Sequence, residues 1–477
     1  MDNFPLLAMM YKMKNVFVIA GLLMAVISLS AQITNVPVIP QQILYSKHND
    51  DFTVCVREPR KDWIDLFEYK VMVDLDNPQA ASMVQFDFSG VVEVRVKVNN
   101  GNVNEVKIRP TEKNIAFRKE GNMIYFLLDK PSKLSIEING DRLRNLHLFA
   151  NEPETDIPDM NAPNVMFFGP GYHKPKDQPG TSFNIPSNTI VYLAPGAVIN
   201  GKFVCNKVEN VRFLGRGIII DSERGFELTF SKNIEIDGLT VINPSHYTVY
   251  GGEVQNLKIN NLKSFSAKGW SDGIDLMSCS DVKINDVFLR NSDDCIAIYT
   301  HRWNFYGDAL NYQISNTILW SDVAHPINIG LHGDSANGGY LIENIHFKNI
   351  DILEHDEDDQ NYQGCMAFSV SDHNTVRNVS FEDIRVENIQ EGQLFNLRVL
   401  FNPKYSNGEG KEISNIRFKN IYYNGVGENP SIIEGFSNEN MVKDVLFENI
   451  VINGIKAKSL EDANIRVGEF TKNIVLK

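Results

Sequence analysis

The chain has 477 residues, with 46 Lys and Arg against 60 Asp and Glu, a net charge of −14. Hydrophobic residues at 43% and charged residues at 22% are globular proportions and exclude a mostly disordered chain. The acidic balance excludes a general nucleic-acid binder, which needs clustered Lys and Arg to neutralise phosphates. Five cysteines, Cys55, Cys205, Cys279, Cys295 and Cys365, are too few and scattered for a disulfide framework, and no C-x-x-C offers a zinc ribbon. They are expected as buried small hydrophobes, with at least one thiol free.

In chain order, Lys12 and Lys14 precede an apolar run from Val16 to Ile27, and the small residues Ser28, Ser30 and Ala31 follow. This pattern predicts a cleavable signal over residues 1–31 and a secreted or periplasmic mature protein. The run is too short to cross a bilayer and no later segment offers 18 continuous apolar residues, so no membrane span is expected.

Residues 33–155 carry short alternating runs, including VEVRVKV (92–98), NMIYFLLD (122–129) and KLSIEI (133–138). Turn signals at Asn99-Asn100-Gly101 and Asn139-Gly140 separate them, which predicts an antiparallel β-sandwich. A Pro-marked stretch, 152–163, reads as a linker.

Residues 164–477 are organised by a repeat. Asn or Asp, apolar, any, apolar, any, then Gly, Asn or Asp recurs nine times, starting at residues 210, 233, 256, 281, 311, 344, 378, 415 and 444. The alternating apolar positions read as a strand with one buried face. The sixth position holds only residue types that enter the left-handed backbone region cheaply, so each copy is expected to turn there. Steps of 23 to 37 residues with no helix between them predict an all-β fold, a right-handed parallel β-helix preceded by the sandwich. The sandwich is expected to cap the first coils.

A second strand aligns across coils as HYTVY (246–250), DGIDL (272–276), DCIAI (294–298), HPINI (325–329) and GCMAF (364–368). This alignment puts His246, Asp272, Asp294, His325 and Gly364 in one column, with rungs about 4.8 Å apart. Asp293 is attached beside Asp294. Crowded carboxylates push at least one pKa up, giving a proton donor beside an ionised base. Hydrolysis of a glycosidic bond needs that pair, with carboxyls expected about 6.5–9.5 Å apart for inversion. Trp270, Tyr299, Trp303 and Tyr306 cluster in sequence around these positions and are candidates for stacking on sugar rings. Asp275, His246, His301 and Arg302 are further candidates for contacting substrate. The run His355 to Asp359 reads as a solvated loop rather than a calcium site. No metal or cofactor is expected; the expected partner is a polysaccharide, met by a monomer.

The motifs Trp-Ser-Asp-Gly-Ile-Asp (270–275), Asn-Ser-Asp-Asp-Cys-Ile-Ala-Ile (291–298) and the His325 segment resemble the right-handed β-helix glycosidases, the polygalacturonase family and the dextranase–isopullulanase family. The likeness covers about residues 165–477. VKIRP (106–110) and LHLFANEP (146–153) look like the N-terminal sandwich of dextranase-type enzymes. The resemblance implies inverting hydrolysis, with Asp293 as general acid and Asp272 and Asp294 holding and activating water. It implies that His325 tunes the acid or binds sugar. Polygalacturonases usually read Asn-Thr-Asp, Gly-Asp-Asp and Gly-His-Gly. Here those positions are Trp270-Ser271-Asp272, Ser292-Asp293-Asp294 and Ala324-His325-Pro326. Their uronate-gripping Arg-x-Lys is replaced by the strand Met366 to Val370. Two other functions fit a solenoid of this kind: a polysaccharide lyase, and a non-catalytic carbohydrate-binding protein.

Overall fold

The computed structural model describes residues 31–176 and 181–477. All but Ala31 of the expected signal therefore lies outside the described residues. Among the described residues the fold is nearly all strand, with two short 3-10 turns at Thr111–Lys113 and Ser335–Asn337. No helix of the described residues is long and apolar enough to cross a membrane.

Two sheets form the sandwich. One has six strands, including Gln79–Ser89, Ser132–Ile138 and Asp141–Asn151; the other has five, including Phe52–Arg57, Val92–Val98 and Met123–Leu128. Alternation does the work: Val92, Val94, Val96 and Val98 are buried while Glu93, Arg95 and Lys97 are not. Those valines pack with Val84, Phe86, Phe88, Leu146 and Leu148 of the facing sheet. The pairing is not wholly antiparallel. Gln79–Ser89 and Asp141–Asn151 run parallel, joined through the intervening strands.

From Val165 onward the chain winds into a right-handed parallel β-helix. All nine repeat strands stack in parallel in one sheet. Their fourth positions form an inward column that includes Phe213, Ile236, Ile259, Ile284, Ile314, Phe347, Phe381, Phe418 and Phe447. The sixth positions turn as expected. Asn261, Asp286, Asn316, Asn349, Asp383, Asn420 and Asn449 have φ between 50° and 59°, and Gly215 and Gly238 are also positive. The first positions do the same, with φ from 52° at Asn415 to 63° at Asn311. A left-handed L-residue costs about 1–2 kcal/mol, and short amides reduce that by bonding locally. Here they bond to one another: Asn256 Nδ2 donates to Asn233 Oδ1 at 2.8 Å and Asn233 Nδ2 to Asn210 Oδ1 at 2.8 Å. All five cysteines are free and buried.

The expectation of an end cap on the first coils is not met. The sandwich lies along the flank of the helix. Tyr69, Val71, Val73, Met83 and Phe149 pack on Val198, Ile218, Ile220, Ile242, Phe265, Phe288, Ile318, Trp320 and Leu353, from successive coils. The sequence explains the placement: Ile218-Ile219-Ile220 is an unbroken apolar run because its strand is buried on both faces. Buried ion pairs cross the interface. Arg216 Nε meets Asp87 at 2.9 Å. Arg109 meets Glu354 at 2.6 Å and Glu387 at 2.7 Å. Arg290 holds Asp322 through two bonds and donates to Asn145 of the sandwich at 3.0 Å.

Candidate active site

Ile274 pairs with Ile296, and Ile296 with Ile327. Two residues upstream the ladder continues: Gly273 N–H reaches the Asp294 carbonyl at 2.9 Å, and Cys295 N–H the His325 carbonyl at 2.8 Å. Asp272, Asp294 and His325 thus occupy consecutive rungs. The earlier coil is displaced by one residue from the sequence alignment. Val249 pairs with Ile274, so Tyr247, not His246, completes the column. His246 lies outside the cleft, its Nδ1 taking the N–H of Tyr247 at 2.9 Å. Burial pushes that imidazole down to about 4.

His325 is fully buried and both ring nitrogens are occupied. Nδ1 lies 2.7 Å from Asp294 Oδ1, and Nε2 faces the carbonyl of Tyr362. A carbonyl only accepts, so Nε2 carries a proton; the carboxylate takes the proton on Nδ1. The pair is an imidazolium against a carboxylate. Burial opposes the imidazolium, but the Asp294 charge and hydrogen bond outweigh it and raise His325 to about 9. Burial likewise opposes the Asp294 charge, and His325 outweighs it, holding that carboxyl below its usual range. Further donors to Asp294 are His325 N–H at 3.1 Å, Asn328 Nδ2 at 2.8 Å and Tyr299 Oη at 3.3 Å. This burial runs against the expectation that His325 touches sugar; its side chain is spent on Asp294 and the Tyr362 carbonyl.

Asp293 points the other way. It accepts N–H bonds from Trp270 at 2.9 Å and Asp294 at 3.1 Å. Burial, then the neighbouring Asp294 charge, push it up to about 6. Asp272 is buried with Oδ1 unpartnered, and burial plus the charges of Asp275, Asp293 and Asp294 raise it well above the carboxylate range. Asp275 is fully buried, and neither of its oxygens has a hydrogen-bond partner. Burial drives it upward as well, against the pull of Arg302, whose Nη1 is 3.9 Å away. Asp275 is fully buried and does not line the cleft, which runs against the expectation that it contacts substrate. Four carboxyls here face two cations, His325 and Arg302, and burial with mutual repulsion favours the protonated form of Asp272, Asp275 and Asp293.

One oxygen from each of Asp272, Asp293 and Asp294 lies within 4.8 Å of the others. These are nearest-oxygen distances, a different measure from the carboxyl-to-carboxyl separation of about 6.5–9.5 Å expected for inversion. A water about 2.7 Å from each of two oxygens spans up to about 5.4 Å, so the triplet suits a single bridged water. It suits a cation less: both oxygens of Asp293 and both of Asp294 already take donors, leaving Asp272 Oδ1 free. Calcium asks for about 6–8 oxygens.

The three aspartates open into a cleft of about 250 Å³. Trp270, Tyr299 and Arg302 line it as expected, with Tyr247, Tyr362, His332, Lys404 and Tyr405. Leu75 reaches in from the sandwich. Glu357, Asp358 and Asp359, read from sequence as a solvated loop, form one wall. His301 is turned aside, bonded to the Phe305 carbonyl and stacked on Tyr306 at 4.2 Å. Tyr247, Tyr362 and Asn328 escaped sequence reasoning. A corrected register finds Tyr247; the others carry no local signal.

A family model described as "Glycosyl hydrolases family 28" matches residues 219–471. Exopolygalacturonase B of Aspergillus niger is 22% identical over 214 residues, 42% of this chain and 45% of that protein. Endo-xylogalacturonan hydrolase A of Aspergillus tubingensis is 30% identical over 171 residues, 34% of this chain and 38% of that protein. The chain thus matches less than half the length of these curated relatives. Dex49A from Penicillium minioluteum superposes with a TM-score of 0.57 at 16% identity, covering 90% of this chain and 94% of that one. That likeness is one of fold, and it spans the sandwich as well as the helix.

Proposed function

The chain belongs to glycosyl hydrolases family 28, and from that membership we propose that it cleaves glycosidic bonds of a polysaccharide with water at Asp272, Asp293 and Asp294. The carrying observation is the buried His325–Asp294 ion pair beside a carboxyl pushed up to about 6. Asp293 holds a proton at mildly acidic pH and gives it to the leaving oxygen. Asp294, kept ionised by four donors, and Asp272 hold the water between them. As its O–C bond forms, the water gives its proton to Asp272, and the glycosidic C–O bond breaks toward the oxygen protonated by Asp293. The transfer requires Asp272 to be ionised in the reacting enzyme, with Asp275 holding the proton between the two.

Inversion of the anomeric centre follows from a single displacement by that water. Product NMR tests it: inverted configuration is expected, and retention would overturn the scheme. Reducing-end release from a panel of polysaccharides, abolished in Asp293→Asn, tests hydrolysis itself. Family membership favours hydrolysis over the lyase and the non-catalytic readings. A lyase would instead release unsaturated, ultraviolet-absorbing products.

The sandwich (33–155) and the helix (164–477) are read as two domains of one catalytic unit, since Leu75 lines the cleft. The Lys12 to Ala31 pattern supports export of the mature enzyme.

A further inference from the structure

The charges of the cleft bear on which sugar it admits. Six carboxyl groups line it, Asp272, Asp293, Asp294, Glu357, Asp358 and Asp359, against two cations, Arg302 and Lys404. Arg302 is already engaged: Nη1 donates to Tyr247 Oη, Asp275 lies 3.9 Å away, and Trp303 covers the guanidinium at 4.5 Å. Lys404 rests over the Tyr405 ring at 4.7 Å, within the field of Glu357 and Asp359. His332 adds no charge, because burial and Arg302 push it down to about 3. The wall Glu357 to Asp359 takes no part in the proposed chemistry, so its charge is an addition to what catalysis needs. The chain as a whole carries −14.

Apolar stacking surface stands beside this acidic lining. Trp270, in the lining, is 66% exposed; Trp303, outside the lining but covering its Arg302, is 48% exposed. Both hold left-handed backbones, φ 57° and 55°. Bulky residues are outliers in that region, and such strain persists where surrounding structure enforces it. At Trp270 the enforcing contact is its own N–H on Asp293. An indole face packs against the C–H face of a pyranose whatever the charge of the sugar.

We infer that the substrate is a neutral glycan stacked on these indoles, and that the Glu357–Asp359 wall excludes polyuronates. This inference rests on the hydrolase reading above. It departs from the substrates named in the matched relatives, exopolygalacturonase B and xylogalacturonan hydrolase A.

A polyanion entering an anionic cleft is repelled, and salt relieves the repulsion; a cation-lined cleft behaves oppositely. The screening length falls from about 30 Å at 0.01 M to about 3 Å at 1 M. Full-length Asp293→Asn protein titrated with tetragalacturonate should show no binding at low salt, or binding that tightens as salt rises. Tetragalacturonate affinity that falls as salt rises would overturn the inference. The triple variant Glu357→Gln, Asp358→Asn, Asp359→Asn, made in the same background, should bind tetragalacturonate at least tenfold more tightly at low salt. Unchanged affinity there would remove the excluding wall. Among polymers, reducing ends released from dextran, pullulan or arabinan but not from polygalacturonate would support the inference. Release by hydrolysis from polygalacturonate alone would overturn it and leave the hydrolase reading standing. Unsaturated products from polygalacturonate would overturn both.

Discussion

The backbone N–H of Leu75 donates to Ser292 Oγ at 3.0 Å. Ser292 immediately precedes Asp293-Asp294, and Leu75 sits in the sandwich, so a loop of the first domain buttresses the catalytic turn of the second. Two residues earlier, Arg290 bonds Asp322, Asn145 and the Arg142 carbonyl, and stacks on Trp320 at 4.0 Å. Removing one partner of such a buried set typically costs about 3–5 kcal/mol. Arg290→Ala is therefore expected to lower Tm sharply in thermal unfolding, with kcat falling even where the protein remains folded. Deleting residues 33–150 exposes the outer apolar face of several coils and should give insoluble protein. A soluble, fully active fragment 160–477 would contradict this.

Asp293→Asn and Asp272→Asn should each lose about 10²–10⁴-fold in rate with the fold intact. Steady-state kinetics and circular dichroism check the two parts.

Asp293 binds its proton more tightly in the folded chain, at about 6, than an ordinary aspartate does at 3.8. Between about pH 4 and pH 6 the folded state holds the extra proton, so this group's contribution to stability falls as pH rises through that window. Asp293→Asn lacks the penalty. It should be more stable than the parent at pH 7, by up to about 3 kcal/mol, with the difference closing toward pH 4. Urea unfolding at the two pH values measures it.

His325→Gln removes the cation that keeps Asp294 ionised. The acidic limb of the kcat/KM profile should then move to higher pH, since Asp294 must be ionised to hold the water that Asp272 deprotonates. An unmoved limb with merely reduced activity would make His325 a packing residue.

Asp275→Asn separates the two inner carboxyls. A protonated acid and an amide have similar shape, and both donate. The variant should keep activity within about tenfold, while Asp272→Asn loses the full catalytic effect. Equal losses in kcat/KM would mean that Asp275 is ionised and that the cluster's protons sit elsewhere.

Much of this was legible in the repeat. Alternation at residues such as Val211 and Phe213, with a turn residue at the sixth position, fixes a strand and its bend from local chemistry alone. The matching left-handed bend at the first position, Asn210 and its counterparts, was equally visible and went unread. Asp272, Asp294 and His325 aligned because their coils share the same offset from the following Ile. In the coil before them Val249, not Thr248, pairs with Ile274, which displaces the alignment by one. That slip exchanged His246 for Tyr247. Tyr362, Lys404 and Leu75 meet the site through loop folding and domain docking, which no local pattern encodes. The flank position of the sandwich belongs to the same class: Ile218 to Ile220 announces two buried faces without saying what covers the second.

Coils of a solenoid touch only their neighbours, so alone they would peel away one at a time. The sandwich grips this one at Arg216, Arg290, Glu354 and Glu387, and so clamps coils far apart in sequence into one cooperative block. Amide hydrogens of the strands between Ile218 and Glu354 should exchange together, at the slow rate of global opening. Strands beyond the clamp, such as Glu412–Tyr423 and Val442–Ile452, have only their own stacking to hold them and should exchange earlier. The turn at Asp293 and Asp294 lies inside the slow block, so its geometry should be insulated from breathing farther along the coil.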